Sequence, residues 1–157
     1  TRVRVNEYTN LHAVAETSNG ELYVVERFVK AAGGCSAPAL KDKEAALARL
    51  GKMKLKPMTP FAAGVPNEAQ LLVSHPNYTG MQIDQVSRNW IPPDHVRTIK
   101  VSYGGTPVLE AETDISLSED PAITFSFVPT EPAAMTVEVE DSNGRTFEQS
   151  WPIGPTS

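Results

Sequence analysis

The sequence predicts an all-β protein built around an immunoglobulin-like β-sandwich, preceded by a separate hairpin and one short helix. Short apolar segments with alternating polar residues recur from residue 69 onward, separated by turn residues about every 8–12 positions, as in sandwich domains. Thirteen prolines and ten glycines disfavour a helical bundle. The chain has one cysteine, so neither an intrachain disulfide nor a multi-cysteine zinc site is possible.

The first predicted element is a hairpin. Residues 11–16 and 21–30 are rich in apolar and β-branched side chains, and they flank Asn19-Gly20, a pair that tolerates the positive φ of a tight turn. Two strands alone are marginal in water. Residues 1–34 are therefore expected to be the last strands of a domain that begins outside this chain, and to pair with an upstream segment or a second protomer.

A loop, a helix and a linker are predicted next. Residues 31–38 are small and include two glycines and a proline, which predicts an exposed, mobile loop. Alanines and helically spaced leucines predict a helix over residues 41–50, with Gly51 as its stop. Prolines and glycine then predict a linker over residues 52–67.

The sandwich strands are predicted from residue 69 onward. Residues 98–103 alternate cleanly, with Ile99 and Val101 on one face. Residues 82–94 are expected to be irregular because Pro92-Pro93 interrupts any ladder. The remaining predicted strands and apolar faces are residues 69–74, residues 107–113 after the Gly104-Gly105 turn, Ile123/Phe125/Phe127, Met135/Val137/Val139, and residues 146–151 after a turn over 141–144.

The charge is unevenly distributed. The net charge of −5 disfavours a nucleic-acid partner, and no apolar run approaches membrane-spanning length. Residues 1–68 carry a net +3, whereas residues 69–157 carry −8. Six basic residues lie within residues 41–56. They are either a solvated face or a docking patch, for an acidic partner or for the acidic second part of the chain.

Few residues are candidates for chemistry. Cys35 could pair with His12, His75 or His95 as a nucleophile and base, but no Cys–His signature surrounds these histidines. The same residues lack metal-ligand spacing, and no phosphate-binding loop or dinucleotide fingerprint is present. An unpaired thiol in a flexible segment is prone to oxidation. Cys35 is thus either a thiol handle that enters another protein's site or an incidental free cysteine.

Two stretches of the chain resemble the SoxYZ sulfur carriers of the bacterial thiosulfate-oxidising (Sox) system. Residues 10–35, ending in Gly33-Gly34-Cys35, are similar to the end of SoxY, where closing strands lead to a glycine-rich tip with the carrier cysteine. The order of the two stretches is similar to that in fused SoxYZ-like carriers, some of which accompany quinoprotein dehydrogenases. Residues 72–151 resemble SoxZ through Leu72-Val73-Ser74-His75-Pro76, Tyr78-Thr79-Gly80-Met81, Ile91-Pro92 and Val101-Ser102-Tyr103-Gly104-Gly105-Thr106-Pro107-Val108.

The resemblance implies a periplasmic carrier that holds sulfur intermediates covalently on Cys35 and presents them to Sox-type enzymes or a quinoprotein dehydrogenase system. Gly33 and Gly34 would make the arm flexible, and the chain itself would have no catalytic residue, cofactor or metal. Neither nucleic acid nor a membrane is an implied partner. Three domains are implied: residues 1–38 as the C-terminal part of a SoxY-like domain, residues 39–68 as helix and linker, and residues 69–157 as a SoxZ-like sandwich.

One feature departs from the SoxY pattern. The SoxY cysteine lies near a free C-terminus in a Gly-Gly-Cys-Gly-Gly tip, whereas here Ser36-Ala37-Pro38 follow and the chain continues. An arm held at both ends enters a partner only as a loop, so either the partners differ or the chain is cut after Cys35. Two other functions stay open: an accessory module of a periplasmic dehydrogenase system, and a cysteine-dependent enzyme.

Overall fold

Two antiparallel sheets face each other across one apolar core. The structure is a computed structural model that describes residues 1–38 and 43–155. Nine strands and one short helix lie in these residues: β1 (Thr9–Glu16), β2 (Leu22–Val29), α1 (Lys43–Ala48), β3 (Met53–Pro57), β4 (Asn67–Val73), β5 (Val96–Tyr103), β6 (Thr106–Glu112), β7 (Ala122–Phe127), β8 (Ala133–Asp141) and β9 (Thr146–Ile153).

The sandwich consists of a three-stranded sheet in the order β3-β4-β7 and a four-stranded sheet in the order β6-β5-β8-β9. Strand β5 lies against β8 with Ile99 opposite Val139 and Val101 opposite Val137, so the inward side chains of both strands share one face. Leu71 of the other sheet is fully buried in the same cluster. The predicted all-β sandwich is confirmed, and the alternating apolar residues form its core.

The expected linker is wrong over part of its length. Residues 52–67 contain β3, which pairs with β4 along its whole length, and β4 itself begins at Asn67. Met53 and Leu55 are buried, whereas Lys54 and Lys56 point to solvent. The strand is short, lies at the sheet edge and ends at a proline, which is why its alternation was obscured.

The predicted helix is shorter than expected. It spans Lys43–Ala48, and residues 41 and 42 of the prediction lie outside the described residues. Gly51 follows with φ of +74°, as expected for a residue that ends a helix. Arg49 forms an ion pair with Asp120 at 2.7 Å, which links the basic segment to the acidic second part of the chain.

The predicted hairpin is confirmed as a two-stranded ribbon of β1 and β2. The turn at residues 17–20 closes with a 2.8 Å hydrogen bond from the Gly20 amide to the Thr17 carbonyl, and Gly20 has a φ of +82°. Its apolar side chains remain exposed, with Val25 at 68% and Val24 at 61% of full accessibility. The ribbon therefore contributes nothing to the core of the sandwich.

Candidate functional site

The single cysteine lies in a loop that packs against the sandwich. This segment, residues 31–38, is called the Cys35 loop below. Cys35 is only 5% exposed, so the predicted exposed position of this residue is wrong. Ser36 tightens the loop by donating from its amide to the Gly33 carbonyl at 3.2 Å, and Gly33 has a φ of +68°. That backbone conformation favours glycine over other residues.

One side of the Cys35 loop contacts the N-terminal segment of the chain. The Gly33 amide donates to the Asn6 carbonyl at 2.8 Å, and the Gly34 amide donates to the Val5 carbonyl at 3.2 Å. A Cβ atom added to Gly34 would lie 2.5 Å from the Val5 oxygen. Gly34 is therefore required here for close backbone approach, in addition to any flexibility it provides.

The other side of the loop contacts two buried polar side chains. The Thr79 hydroxyl donates to the Cys35 carbonyl at 2.6 Å, and Nε2 of Gln82 donates to the Ala37 carbonyl at 3.0 Å. Oε1 of Gln82 accepts from the Thr79 amide at 3.2 Å, which couples the two side chains. Thr79 is 4% and Gln82 2% exposed, so both depend on protein partners for their hydrogen bonds.

Arg4 anchors the N-terminal segment to the sandwich. Its Nη1 atom donates to the carbonyls of Asn77 at 2.9 Å and Leu117 at 2.7 Å. Burial lowers the pKa of Arg4 from its ordinary value, while the charge of Glu119 and the nearby Cys35 thiol act in the opposite direction. A small cavity lies between this arginine, Gln82, Glu119 and the outgoing end of the Cys35 loop.

A second polar cluster lies under the end of β4. His75 is fully buried, and its Nε2 atom lies 3.6 Å from both Asp94 Oδ1 and Asp141 Oδ2. Arg145 bridges the same two carboxylates at 2.5 Å each. Burial alone would raise the pKa of Asp141, but hydrogen bonds from Arg145 and the Asn143 amide hold it below its ordinary value.

Burial favours the neutral form of the histidine in this cluster. Burial lowers the pKa of His75 more strongly than the two carboxylates raise it, and Arg145 lowers it further. The Asn77 amide donates to Nδ1 of His75 at 3.1 Å, so Nδ1 is an acceptor and Nε2 carries the hydrogen. Within the described residues, this Nε2 has no hydrogen-bond partner.

The ligand atoms of His75, Asp94 and Asp141 lie within 4.8 Å of one another, close enough to surround a cation. The chemistry of the cluster does not fit one. A histidine that ligates a metal through Nε2 carries its proton on Nδ1 and donates it to an acceptor, but here Nδ1 faces the Asn77 amide. Arg145 already neutralises the carboxylate oxygens. The cluster joins β4, β5 and β8 as a structural network.

The three histidines that could have served Cys35 each lie beside a carboxylate. His12 is on the exposed ribbon, 3.9 Å from Glu26, and His95 lies 3.4 Å from Asp114. His75 belongs to the buried cluster described above. The backbone carbonyl of Cys35 instead accepts a hydrogen bond from Thr79. No Cys–His pair emerges from these contacts.

Sequence reasoning missed Arg4, Thr79 and Gln82 as contacts of the Cys35 loop. Thr79 and Gln82 are three positions apart, at the start of the segment over residues 82–94 that was expected to be irregular, and their spacing suits a local side-chain turn. That signal says nothing about a loop 44 residues earlier in the chain. Gly33, Gly34 and Cys35 do lie together, as their adjacency requires.

Comparison with known families identifies both parts of the chain. The family model of sulphur oxidation protein SoxZ matches residues 55–152, well over half of the chain. The chain belongs to the SoxZ family. The model of sulfur oxidation protein SoxY matches residues 1–35 and so ends at Cys35. The predicted SoxYZ-like identity is confirmed, and the SoxYZ-like chain has a role in sulfur oxidation.

Solved structures match the fold of the chain only distantly. A candidate superoxide reductase from Thermotoga maritima has a TM-score of 0.51 at 14% identity, covering 76% of this chain and 96% of that one. The superoxide reductase (neelaredoxin) from Ignicoccus hospitalis has a TM-score of 0.47 at 12% identity, covering 71% and 85%. These likenesses concern the fold alone. Among curated proteins, no relative matches the chain.

The two Sox families also bear on partners and location. SoxY and SoxZ families imply interaction with other Sox proteins, and Sox proteins are typically periplasmic. Of the helices that the structure describes, none is long and apolar enough to cross a lipid bilayer.

Proposed function

We propose that this chain is a periplasmic sulfur carrier that holds sulfur intermediates covalently on Cys35 and presents them to partner enzymes. The observation that carries the proposal is the match of the SoxY model to residues 1–35, which ends at the only cysteine of the chain. The loop with this cysteine packs against the SoxZ-type region of the same chain, through Thr79 and Gln82. In the proposed carrier, the SoxZ-type region is the platform from which the loop operates.

The carrier chemistry requires partners. Joining the Cys35 thiol to thiosulfate forms one S–S bond, and the thiol loses a proton while two electrons pass to an acceptor. The chain offers neither a dithiol nor a disulfide of its own, because it has one cysteine. In the proposal, an electron-accepting Sox-type enzyme or quinoprotein dehydrogenase system loads the thiol, and a hydrolase then adds water to release sulfate. The carrier itself is not an enzyme.

The closed position of Cys35 sets a condition on this function. The thiol is 5% exposed, so a loading enzyme reaches it only after the loop has left the sandwich. In the proposed arm, Gly33 and Gly34 are the pivots at its upstream end, while Ser36-Ala37-Pro38 lead back into the chain. The domain boundary at residues 38/39 remains part of the proposal, whereas the sandwich begins at β3 and not at residue 69.

The exposed ribbon of β1 and β2 indicates a further binding partner for the proposed carrier. On one face, Val25, Ala13, Leu11 and Tyr23 lie together with Arg27 as the only charged side chain. The opposite face carries the His12–Glu26 pair and Glu16 between Val14, Val24, Leu22 and Phe28. We therefore expect the first face to be covered by SoxY-like strands, from an upstream segment or a second protomer.

A second function competes with the carrier. A buried Cys35, in a loop that continues toward α1, also suits a non-carrier accessory module of a periplasmic quinoprotein dehydrogenase system. The two functions differ in whether the thiol is modified in the native compartment. In the accessory module, Cys35 is a small buried apolar residue of the loop contact.

Intact-mass spectrometry of the protein purified from its native compartment tests the proposal. We expect adducts that correspond to bound sulfur or sulfonate, that map to Cys35 and that a reductant removes. A Cys35→Ser variant should fold and bind its partners but no longer support sulfur oxidation, whereas a Ser36→Ala control should retain it. Full activity of Cys35→Ser would instead establish the accessory module. A purified chain that turns over substrate alone would make it an enzyme, and a mass ending at residue 35 would show that the arm is cut.

A further inference from the structure

We infer that Thr79 and Gln82 are positioning residues that hold the Cys35 loop on the sandwich and set how often the thiol opens to solvent. The inference gives a physical basis to the regulation of the proposed carrier thiol and rests on that function only for its biological meaning. The contacts behind the inference are two side-chain hydrogen bonds, to the backbone carbonyls of Cys35 and Ala37.

Both bonds lie where water has little access. Thr79 and Gln82 are 4% and 2% exposed, so leaving their hydrogen-bonding groups unpaired in place would carry a desolvation cost. The Thr79 amide donates to the Gln82 amide oxygen, and the Thr79 hydroxyl accepts from the Met81 amide at 3.1 Å. The two side chains are thus oriented toward the loop by their own turn before the loop packs. A preoriented donor loses less conformational entropy when it binds.

The bonds are made to backbone atoms and not to sulfur. Thr79 and Gln82 bond to carbonyl oxygens, so this pair acts on the accessibility of the thiol and leaves the chemistry of Sγ to other groups. On the opposite side of the loop, the amides of Gly33 and Gly34 donate to the backbone carbonyls of Asn6 and Val5. Thr79 and Gln82 therefore hold the loop from the sandwich side through their side chains, so substitution of either should change the opening of the loop.

The small cavity at the outgoing end of the loop agrees with this assignment. Pro38, Glu119 and Gln82 line it. The bond from Gln82 to Ala37 is therefore made at the edge of this cavity. The bond from Thr79 to Cys35 secures the part of the loop that carries the thiol. Together the two bonds define a closed state from which small local opening exposes Cys35.

The alkylation rate of Cys35 in the folded full chain tests the inference, and Cys35 is the only thiol that can react. We expect Thr79→Val and Gln82→Leu each to raise the rate of reaction with iodoacetamide by roughly 2- to 12-fold, the equilibrium effect of one net hydrogen bond. Thr79→Ser, which retains the hydroxyl, should react at close to the original rate. Thr136→Val and Gln70→Leu, which alter exposed side-chain bonds elsewhere, are matched controls.

Urea separates local opening from global unfolding in the same assay. Opening of the loop alone gives a rate that is nearly independent of urea at low concentration, whereas global unfolding gives a rate that rises from the first addition. Unchanged rates in both Thr79→Val and Gln82→Leu overturn the inference, as does a urea dependence that follows global unfolding. The assay contains no sulfur substrate. The alkylation result therefore does not depend on the carrier experiment, and either experiment can fail without the other.

Discussion

The Thr79 hydroxyl lies 2.6 Å from the carbonyl oxygen of Cys35 and donates a hydrogen bond to it. Thr79 belongs to the SoxZ-type region, and Cys35 ends the segment that matches SoxY. The contact therefore joins the two family regions within a single chain at the residue proposed to carry sulfur. In this closed state, reaction at Cys35 depends on breaking a contact made by the other region.

Replacing Gly34 with alanine should open the Cys35 loop. The new methyl group would lie 2.5 Å from the Val5 carbonyl oxygen, so the loop must move away from the N-terminal segment. We expect faster alkylation of Cys35, with little change in the urea midpoint of the sandwich. Gly20→Ala, where the added methyl meets nothing within 4 Å, is the control, and its strain is confined to the ribbon turn. An alkylation rate unchanged in Gly34→Ala would show that the loop does not need this close approach.

The stability of the sandwich should fall in mild acid because of His75. Burial keeps its pKa in the folded chain below its ordinary value of 6.5, so the unfolded chain binds this proton first as the pH falls. The stabilising effect is complete above about pH 6.5 and is lost as the pH drops toward the folded pKa, with a slope of at most about 1.4 kcal/mol per pH unit. Urea unfolding between about pH 5 and 7.5 measures this slope.

Two variants test whether His75 causes this dependence of stability on pH. His75→Gln should flatten the dependence on pH between about 5 and 6.5 because glutamine does not titrate. His12→Gln should leave it unchanged, since His12 is exposed on the ribbon. Asp141 also has a lowered pKa, but its contribution is present above the ordinary carboxylate range and is lost only as the pH falls further. A slope that persists in His75→Gln would place the titrating group elsewhere.

Arg145→Leu should destabilise the sandwich by about 1–3 kcal/mol, because removing one partner leaves buried acceptors unpaired. Arg145 bonds to both Asp94 and Asp141, and the side chain of Asp141 is fully buried. The free energy of unfolding from urea titration at neutral pH gives the measurement. Arg97→Leu, which removes an exposed arginine from β5, is the matched control and should cost under about 0.5 kcal/mol. Equal losses in the two variants would mean that the buried network contributes nothing specific.

A charge on one face of the ribbon should weaken assembly without affecting the sandwich. Val25 is 68% exposed on the more apolar face, so Val25→Lys should leave the urea midpoint unchanged. We expect this variant to lose association with a second copy or with an added SoxY-family protein in sedimentation velocity. Val24→Lys, on the opposite face and 61% exposed, should lose less. Association that is equally impaired by both variants would argue against a preferred face.

Local sequence patterns were sufficient for much of the sandwich. The alternation through Ile99 and Val101 specified which face of β5 is buried, because side chains in a strand point to opposite sides. The same alternation in Met53 and Leu55 was hidden by lysines and by a proline-rich context, so β3 was expected to be linker. Short edge strands give weak patterns because only one of their faces meets the core.

The position of Cys35 shows that local sequence patterns do not predict tertiary contacts. Glycines around it indicate what the backbone can do, and they correctly predicted a loop. They do not show that Gly34 packs on Val5. Nor do they show that Cys35 bonds to Thr79, 44 positions downstream, or that Ala37 bonds to Gln82, 45 positions downstream. Likewise, the sequence placed His75 only just after the predicted strand over residues 69–74, but the fold surrounds it with Asp94, Asp141 and Arg145.

The sequence by itself determined the fold class, the hairpin, the uneven charge and the importance of a single cysteine, because each depends on residues that are neighbours along the chain. Only the tertiary structure decided that Cys35 is buried, that Thr79 and Gln82 contact its loop and that burial lowers the pKa of His75. Burial and hydrogen-bond partners depend on which distant segments meet when the two sheets pack. They are therefore properties of the packed chain and not of any one segment.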